Sequence, residues 1–364
     1  MKKMKHLLAV LMTLALALSL LAGCAGTPVS TGDAGTTAAP ETTAAPETTA
    51  APETEAPAAA MVKTGLYIGT DISGSKSATA EEDGQAKYDV TVVAVTVNDQ
   101  GVIESCVIDS IPATVKFSAA GAITSDLTAE VPTKNELGEA YGMKAYGGSQ
   151  YEWNEQVAAL AKYAVGKTVD ELKNGAVDET GHAKDADLAT TASIYLGGYV
   201  AGIEAAVNNA QHLGAQSGDV LKLATVNSLG GSKDATAEKA GTAQLDAYIT
   251  AVTMQGDVIS SCYIDSVQAK VAFDAAGAIT TDLTAPVQTK NELGENYGMK
   301  AYGGAKYEWN EQAAAFARYV TGKTPAEVNS IAVNEKNVPT EADLASTVTI
   351  SIGGFQALIA KAAQ

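Results

Sequence analysis

Two short hydroxyl-rich segments are the residues of this chain best placed to do chemistry. They are DLATTAS over 187–193 and DLASTVT over 343–349, and each is followed by a Gly-Gly pair and an apolar helical pattern. Serine and threonine hydroxyls can serve as nucleophiles or as points of covalent attachment. The same residues would also suit a β-strand whose hydroxyls line its polar face. The two interpretations remain open at this point.

The sequence offers no partners that would make these hydroxyls part of a hydrolytic site. Only three histidines occur, and His182 and His212 have no counterparts in the other half of the chain, which excludes a histidine metal site common to both halves. No Ser-His-Asp or Cys-His set recurs, and there is no G-x-x-x-x-G-K-[ST] loop and no cysteine pairing suited to an iron–sulfur cluster.

The elements that position these segments belong to an internal repeat. The block TKNELGEAYGMKAYGGSQYEWNEQ at 133–156 returns at 289–312, changed only at 140/296, 149/305 and 150/306. A repeat at a fixed offset indicates one domain present twice. The preceding stretches, 102–132 and 258–288, differ more. The block is therefore either a packing core that resists change or the wall of a shared cofactor site.

The pattern around the block predicts an α+β fold with an antiparallel sheet and packed helices in each of two tandem repeats. Alternating apolar residues indicate strands before and after a hairpin near Asn98–Gly101. Apolar positions from Trp153 to Ala164 mark one face of a helix, and the second copy matches it from Trp309. Thr168–Glu171 and Thr324–Glu327 are capping boxes that begin the next helices. We expect each repeat to fold independently.

The block also carries the aromatic and basic residues that a ligand would meet. Trp153 and Trp309 are either core anchors or, with Tyr141 and Tyr297, walls for a flat aromatic ligand. The nearby tyrosines that share this interpretation are Tyr146, Tyr151, Tyr302 and Tyr307. The lysines of the block are Lys134, Lys144, Lys290 and Lys300, which either act on a bound anionic group or are solvated.

The N-terminal residues predict a lipid anchor. Three lysines precede an apolar run that ends in Leu-Ala-Gly-Cys24, the pattern of a lipoprotein signal peptide over residues 1–23. Cys24 would be the lipidated first residue. Residues 24–62 are rich in Thr, Ala, Pro and Glu and form a disordered tether. The repeats then occupy 63–212 and 213–364.

Composition excludes some partners. The formal charge is −18 and the chain has 24 basic residues against 42 acidic ones, so nucleic acid is not an expected partner. Anionic lipid is disfavoured in the same way, which leaves the lipid at Cys24 as the contact with the membrane. Cys106 and Cys262 occupy equivalent strand positions and are expected to be buried, unpaired residues.

The hydroxyl segments resemble the flavinylation motif of FMN-binding domains, Asp-x-x-Ser/Thr-Gly-Ala-Thr, in which a transferase joins the FMN phosphate to the last hydroxyl. The resemblance assigns Asp187, Thr190 and Ser193 to these roles in the first repeat. It assigns Asp343, Ser346 and Thr349 to them in the second. Thr191 and Thr347 stand where the family has glycine. Ser193 and Thr349 are thus the implied attachment sites for two FMN groups per chain.

With the lipoprotein signal and the tether, the chain resembles the flavinylated pheromone-lipoprotein type used in Gram-positive extracellular electron transfer. That resemblance implies a location on the extracellular face of the cell membrane and a flavin transferase as partner. It also implies a membrane NADH dehydrogenase and quinone pool as electron donor, and ferric iron or soluble flavins as acceptors. A redox carrier is favoured over an enzyme with its own substrate. The alternative is a surface binding or adhesion lipoprotein without a cofactor.

Overall fold

The computed structural model describes residues 59–364 of the chain. The predicted signal peptide, Cys24 and the predicted tether up to residue 58 lie outside these residues. The fold is α+β, in two similar halves that each contain a three-stranded antiparallel sheet and packed helices, as the sequence predicts. Among residues 59–364, no helix combines the length and the apolar character needed to cross a membrane.

Besides a short 3₁₀ helix at Gly138–Tyr141, the first half, residues 63–212, contains three strands and six α-helices in chain order. They are β1 (Lys63–Asp71), β2 (Gly84–Val97), β3 (Ile103–Phe117), α1 (Lys134–Leu137), α2 (Met143–Gly147), α3 (Trp153–Ala164), α4 (Val169–Ala176), α5 (Ala186–Thr191) and α6 (Gly197–Asn208).

The second half, residues 213–364, repeats this order. Its elements are β4 (Val220–Ser228), β5 (Gly241–Gln255), β6 (Val258–Phe273), α7 (Lys290–Leu293), α8 (Met299–Gly303), α9 (Trp309–Val320), α10 (Pro325–Asn329), α11 (Ala342–Ala345) and α12 (Gly353–Ala362).

Both faces of each sheet contribute to a core because the central strands have consecutive buried apolar residues, as in Val92–Val95 of β2. In β2, Val92 and Ala94 face the other half, whereas Val93 and Val95 face the helices of their own half. Successive side chains of a strand point to opposite faces of the sheet. One face of the sheet therefore packs against the other half, and the opposite face packs against the helices of its own half. The order of layers is helices, sheet, sheet, helices.

The inner faces of the two sheets form a single apolar cluster. At its centre the rings of Phe117 and Phe273 stack with 4.1 Å between centroids and 4° between planes. Two equivalent backbone hydrogen bonds join the halves nearby. Ala78 N–H donates to the carbonyl of Gly277, and Ala235 N–H donates to the carbonyl of Gly121, both at 2.8 Å. These reciprocal contacts make the interface self-complementary. Separating the halves would expose this cluster, so the shared core argues against independent folding of each repeat.

The helix boundaries follow the sequence closely. α3 and α9 begin at the two tryptophans, and Thr168 and Thr324 form the predicted capping boxes with Glu171 and Glu327. The hydroxyl-rich segments, however, are not strands. In each half the first part forms a short helix, α5 or α11, and the chain then runs without regular structure to α6 or α12. The strand interpretation of these segments is therefore wrong.

The segment that connects the two halves, residues 211–216, hydrogen-bonds to the first described residues before and within β1. Thr64 exchanges backbone hydrogen bonds with Gln211, and Val62 N–H donates to the carbonyl of Ala215 at 3.0 Å. Val62 is fully buried, and Met61 bridges Gln216. The last residues assigned to the tether thus already belong to the folded part of the chain.

Candidate functional site

The residues at the centre of the site are Ser193 and Thr349, each exposed on the irregular segment after a short helix. Ser193 donates its backbone N–H and its hydroxyl to Oε1 of Gln156, at 2.8 and 3.2 Å. Thr349 makes the same two bonds to Oε1 of Gln312, at 2.8 and 3.1 Å. Each predicted attachment residue is therefore held by one glutamine from the repeated block, with its hydroxyl at the surface.

The two glutamines are fully buried and lie on α3 and α9. The Gln156 amide nitrogen donates to the carbonyl of Tyr151 at 3.0 Å, and the Gln312 nitrogen donates to the carbonyl of Tyr307 at 3.0 Å. We call the irregular segments that carry Ser193 and Thr349 the attachment loops. Since a backbone N–H can only donate and a carbonyl can only accept, these partners fix which amide atom of each glutamine faces its attachment loop. Sequence reasoning missed both glutamines, although each is the last residue of the repeated block.

A buried glutamate in each copy of the repeated block hydrogen-bonds to the start of the preceding short helix. The Glu152 carboxylate accepts the backbone N–H groups of Met143 at 2.8 Å and Lys144 at 3.1 Å. Glu308 accepts the equivalent groups of the second half, at 2.8 and 2.9 Å. Both glutamates are almost fully buried. This hydrogen bonding gives the block a structural reason for its lack of variation.

The other motif residues shape the helix before each loop. The Thr190 hydroxyl donates to the carbonyl of Asp187 at 2.6 Å, and the Ser346 hydroxyl donates to the carbonyl of Asp343 at 2.8 Å. Asp187 and Asp343 are exposed. Neither carboxylate hydrogen-bonds to the attachment hydroxyl within the part of the chain that the structure describes. The side chain that caps α5 is Asp185, which sequence reasoning did not single out.

A cavity of about 640 Å³ opens beside the attachment loop of the first half. Its aromatic walls come from five residues, Tyr67, Tyr141, Trp153, Tyr195 and Tyr199. Trp153 is buried and donates its indole N–H to the Tyr199 hydroxyl at 3.0 Å, which fixes the orientation of both rings. Ile194, the residue after Ser193, also lines the cavity. The predicted attachment site thus lies at the edge of an aromatic cavity.

The cavity contains a buried cation. The Lys134 ammonium lies 5.0 Å from the ring centroids of both Tyr141 and Trp153, and the residue is 8% exposed. In the second half the Lys290 ammonium lies 5.0 Å from Tyr297 and 4.9 Å from Trp309. These distances are typical of cation–π contacts. For Lys134 and Lys290, the solvated interpretation is therefore wrong.

Burial has an electrostatic consequence that is clear for Lys290. Loss of solvation lowers the pKa of this lysine to about 8, although the nearby carboxylates of Asp246 and Asp265 favour its charged form. A lysine with such a pKa changes charge more readily than a surface lysine. Burial therefore disfavours the charged form of the Lys290 side chain.

Other residues of the predicted set lie away from the cavity. Lys144 pairs with Glu139 and Glu155 at 3.6 and 3.5 Å, and Lys300 pairs with Glu295 and Glu311 at 3.5 and 3.4 Å. Tyr146 and Tyr302 are each 92% exposed, so they do not form part of an aromatic wall. The structure thus brings Trp153 and Tyr141 to the attachment loop, and it places Lys144 and Lys300 in surface ion pairs.

A polar atom in the cavity is also without a partner. Thr70 lines the cavity, and its hydroxyl oxygen is inaccessible and makes no hydrogen bond within residues 59–364. A buried polar group normally has a partner, and this hydroxyl is an exception. The cavity volume lies within the range of small-molecule sites, about 300–1,000 Å³. The size, the aromatic walls and the buried cation all fit the ring system of a flavin.

A further cavity of about 550 Å³ lies at the junction of the halves, lined by His212, Cys262 and Arg318. Arg318 has no counterpart of the same type in the first half, where the equivalent residue is Lys162. Of the free thiols, Cys262 is buried as expected whereas Cys106 is half-buried, and desolvation raises the pKa of both to about 12, which disfavours the thiolate. This cavity contains no residue of the hydroxyl-rich segments, and we place the candidate site at the attachment loops.

Comparison with protein-family models, with curated protein sequences and with solved structures gives no match for this chain.

Proposed function

We propose that this protein is an electron-transfer flavoprotein of the cell surface, with one FMN joined through its phosphate to Ser193 and one to Thr349. The observation that carries the proposal is the pairing of each exposed hydroxyl with a buried glutamine. An acceptor for a transferase must be accessible and held in position. In the first half, the aromatic cavity with its buried lysine adds a place for the flavin ring.

Attachment is a phosphoryl transfer and involves no oxidation. The hydroxyl oxygen forms a bond to phosphorus, while the bond from that phosphorus to the leaving group of an activated flavin nucleotide breaks. The hydroxyl proton passes to a base, and the protein gains FMN less one water. The chain need only present the hydroxyl, because the transferase binds the donor. This division of labour agrees with the absence from the sequence of a recurring Ser-His-Asp or Cys-His set.

The bound flavin supplies the redox chemistry, and the protein supplies attachment, orientation and polarity. A phosphoester prevents loss of the cofactor by dilution outside the cell. Lys134 would lie near the ring in the first half and would favour added negative charge. We propose a membrane NADH dehydrogenase and quinone pool as the source of electrons, and ferric iron or soluble flavins as acceptors. The predicted lipid at Cys24 would hold the carrier at the extracellular face of the membrane.

The runner-up, a surface binding or adhesion lipoprotein without a cofactor, depended on the hydroxyl segments being ordinary strands. In the structure they are a helix followed by an irregular loop. The two functions differ in a simple property. Coexpression with a flavin transferase should give a yellow protein that retains its visible absorbance after denaturation and desalting. A colourless product from an active transferase would favour the binding protein.

A further inference from the structure

The two halves differ at the place where the first has its cavity. In the first half, Gly69 on β1 pairs with Thr91 on β2, and both residues line the cavity. The corresponding pair in the second half is Val226 with Tyr248. The Tyr67 hydroxyl lies over Gly69, and the small side chain of Thr91 borders the open cavity together with Trp153. A valine and a tyrosine put bulk at the same register position.

The ring of Tyr248 packs against the residues that correspond to the cavity walls. Its centroid lies 6.3 Å from that of Trp309 and 5.8 Å from that of Phe355, the latter in an edge-on arrangement. The Lys290 ammonium lies 5.3 Å from the same ring. The ring edge also lies against Gly354, the counterpart of the cavity-lining Gly198. Tyr248 thus occupies, with a side chain of the protein, a place that is open in the first half.

Two further substitutions accompany this exchange, of which the change from Tyr67 to Ala224 removes a ring from β4 while Tyr248 adds one on β5. Tyr67 and Tyr199 of the first cavity correspond to Ala224 and Phe355, both buried in the core of the second half. Phe355 lacks the hydroxyl that accepts the indole N–H of Trp153 in the first half. The second half has therefore closed the position with apolar packing. Its contacts show how an aromatic ring sits between a buried lysine and a tryptophan in this fold.

We propose that Tyr248 excludes the flavin ring from the second half, so that the two attached cofactors are not equivalent. This inference rests on the proposed function. The ring attached at Ser193 docks in the cavity, at the place that Tyr248 fills in the other half. The ring attached at Thr349 remains at the surface, where it can meet an external acceptor. Residues 91 and 248 thus determine which flavin is enclosed.

The test uses single-cofactor proteins made with the transferase. Ser193→Ala leaves the flavin at Thr349, and Thr349→Ala leaves the flavin at Ser193, as intact mass would verify. Contact with tryptophan or tyrosine quenches flavin fluorescence by electron transfer, and enclosure protects the ring from iodide. We expect the flavin at Ser193 to be several-fold less fluorescent and less accessible to iodide than the flavin at Thr349.

Exchanging the two residues should exchange these properties. Thr91→Tyr in the Thr349→Ala protein should raise fluorescence and iodide quenching several-fold, because the added ring fills the cavity. Tyr248→Thr in the Ser193→Ala protein should lower both, with Tyr248→Phe as a control that keeps the ring and leaves both unchanged. Equal quenching of the two flavins, or no effect of Thr91→Tyr at full occupancy, would overturn the inference while leaving covalent attachment intact.

A separate measurement uses the unmodified Ser193→Ala/Thr349→Ala chain and free riboflavin. Equilibrium titration should show one saturable site that Thr91→Tyr abolishes and Tyr248→Thr duplicates. A mass showing no attached FMN would refute the proposed function, but this titration would still report on the cavity. Riboflavin binding that is absent or insensitive to residue 91 would overturn the assignment of the cavity.

Discussion

Thr349 donates two hydrogen bonds to one atom, since its backbone N–H and its hydroxyl both reach Oε1 of Gln312, at 2.8 and 3.1 Å. The glutamine is fully buried, whereas the threonine is exposed. This pair joins the repeated block to the hydroxyl-rich segment across 37 residues of chain. The equivalent pair in the first half is Gln156 with Ser193.

Gln312→Leu should reduce FMN attachment at Thr349 because the loop loses the acceptor that positions its backbone and hydroxyl. The cost in stability should be about 1–3 kcal/mol, since a buried amide is removed and two donors lose their partner. Gln156→Leu is the matched control and should affect Ser193 alone. Peptide mapping gives the occupancy, and thermal unfolding shows whether the protein is folded. Full occupancy at Thr349 in the folded Gln312→Leu protein would show that the glutamine does not position the acceptor.

Lys290 should make stability depend on pH in the alkaline range. Its folded-state pKa is about 8, below the ordinary value of 10.5, so between these values the unfolded chain binds more protons than the folded one. The free energy of unfolding should therefore increase as the pH rises from about 8 towards 10.5. Below pH 8 the lysine is charged in both states, and burial of the charge opposes folding. Chemical denaturation of the unmodified chain across this range gives the slope.

Lys290→Met removes the titrating group and keeps an apolar stem of similar length. The difference in unfolding free energy between wild type and this variant should change with pH over the window, and other groups cancel in the difference. Identical pH dependence in both proteins would mean that the lysine keeps an ordinary pKa.

Phe117→Ala should destabilise both halves together. The ring stacks on Phe273 at 4.1 Å in a core shared by the two sheets, and truncation of a buried phenylalanine costs about 3–5 kcal/mol. Calorimetry should show one transition shifted to lower temperature, and a fragment of residues 218–364 should lack a cooperative transition. Cooperative unfolding of that fragment would instead support the sequence-based expectation of independent repeats.

Cys24→Ala tests the membrane anchor, a prediction that lies outside the residues the structure describes. The variant should be released or left as an uncleaved precursor, because no thiol is available for the lipid. Membrane fractionation with an antibody to the mature chain measures this. Processing and membrane retention of the variant would contradict lipidation at this cysteine.

Local sequence patterns predicted the elements well and their packing less well. The apolar periodicity and the capping boxes at Thr168 and Thr324 depend on neighbouring residues, so they can be found in the sequence. The stacking of Phe117 on Phe273 joins residues that lie 156 positions apart in the chain. Where both faces of a strand are apolar, the sequence does not indicate which element packs on which face. The independence of the repeats was inferred without that information.

The site shows the same division. Ser193 and Thr349 were identified from short motifs, and the structure places both on exposed loops. Gln156 was missed because a single buried amide leaves no periodic pattern in the sequence. Only its position at the end of the repeated block could have indicated it. The difference between Thr91 and Tyr248 becomes meaningful only when the cavity and its lining residues are known.

Intact mass after coexpression with an active flavin transferase tests the central claim most directly. The account predicts a gain of two FMN units, each less one water, in the wild-type chain. Ser193→Ala and Thr349→Ala should each remove one unit, and the double variant should gain none. All should stay folded, since loss of an exposed hydroxyl usually costs within about 0.5 kcal/mol. An unmodified wild-type chain, with the transferase active on a control substrate, would contradict the account.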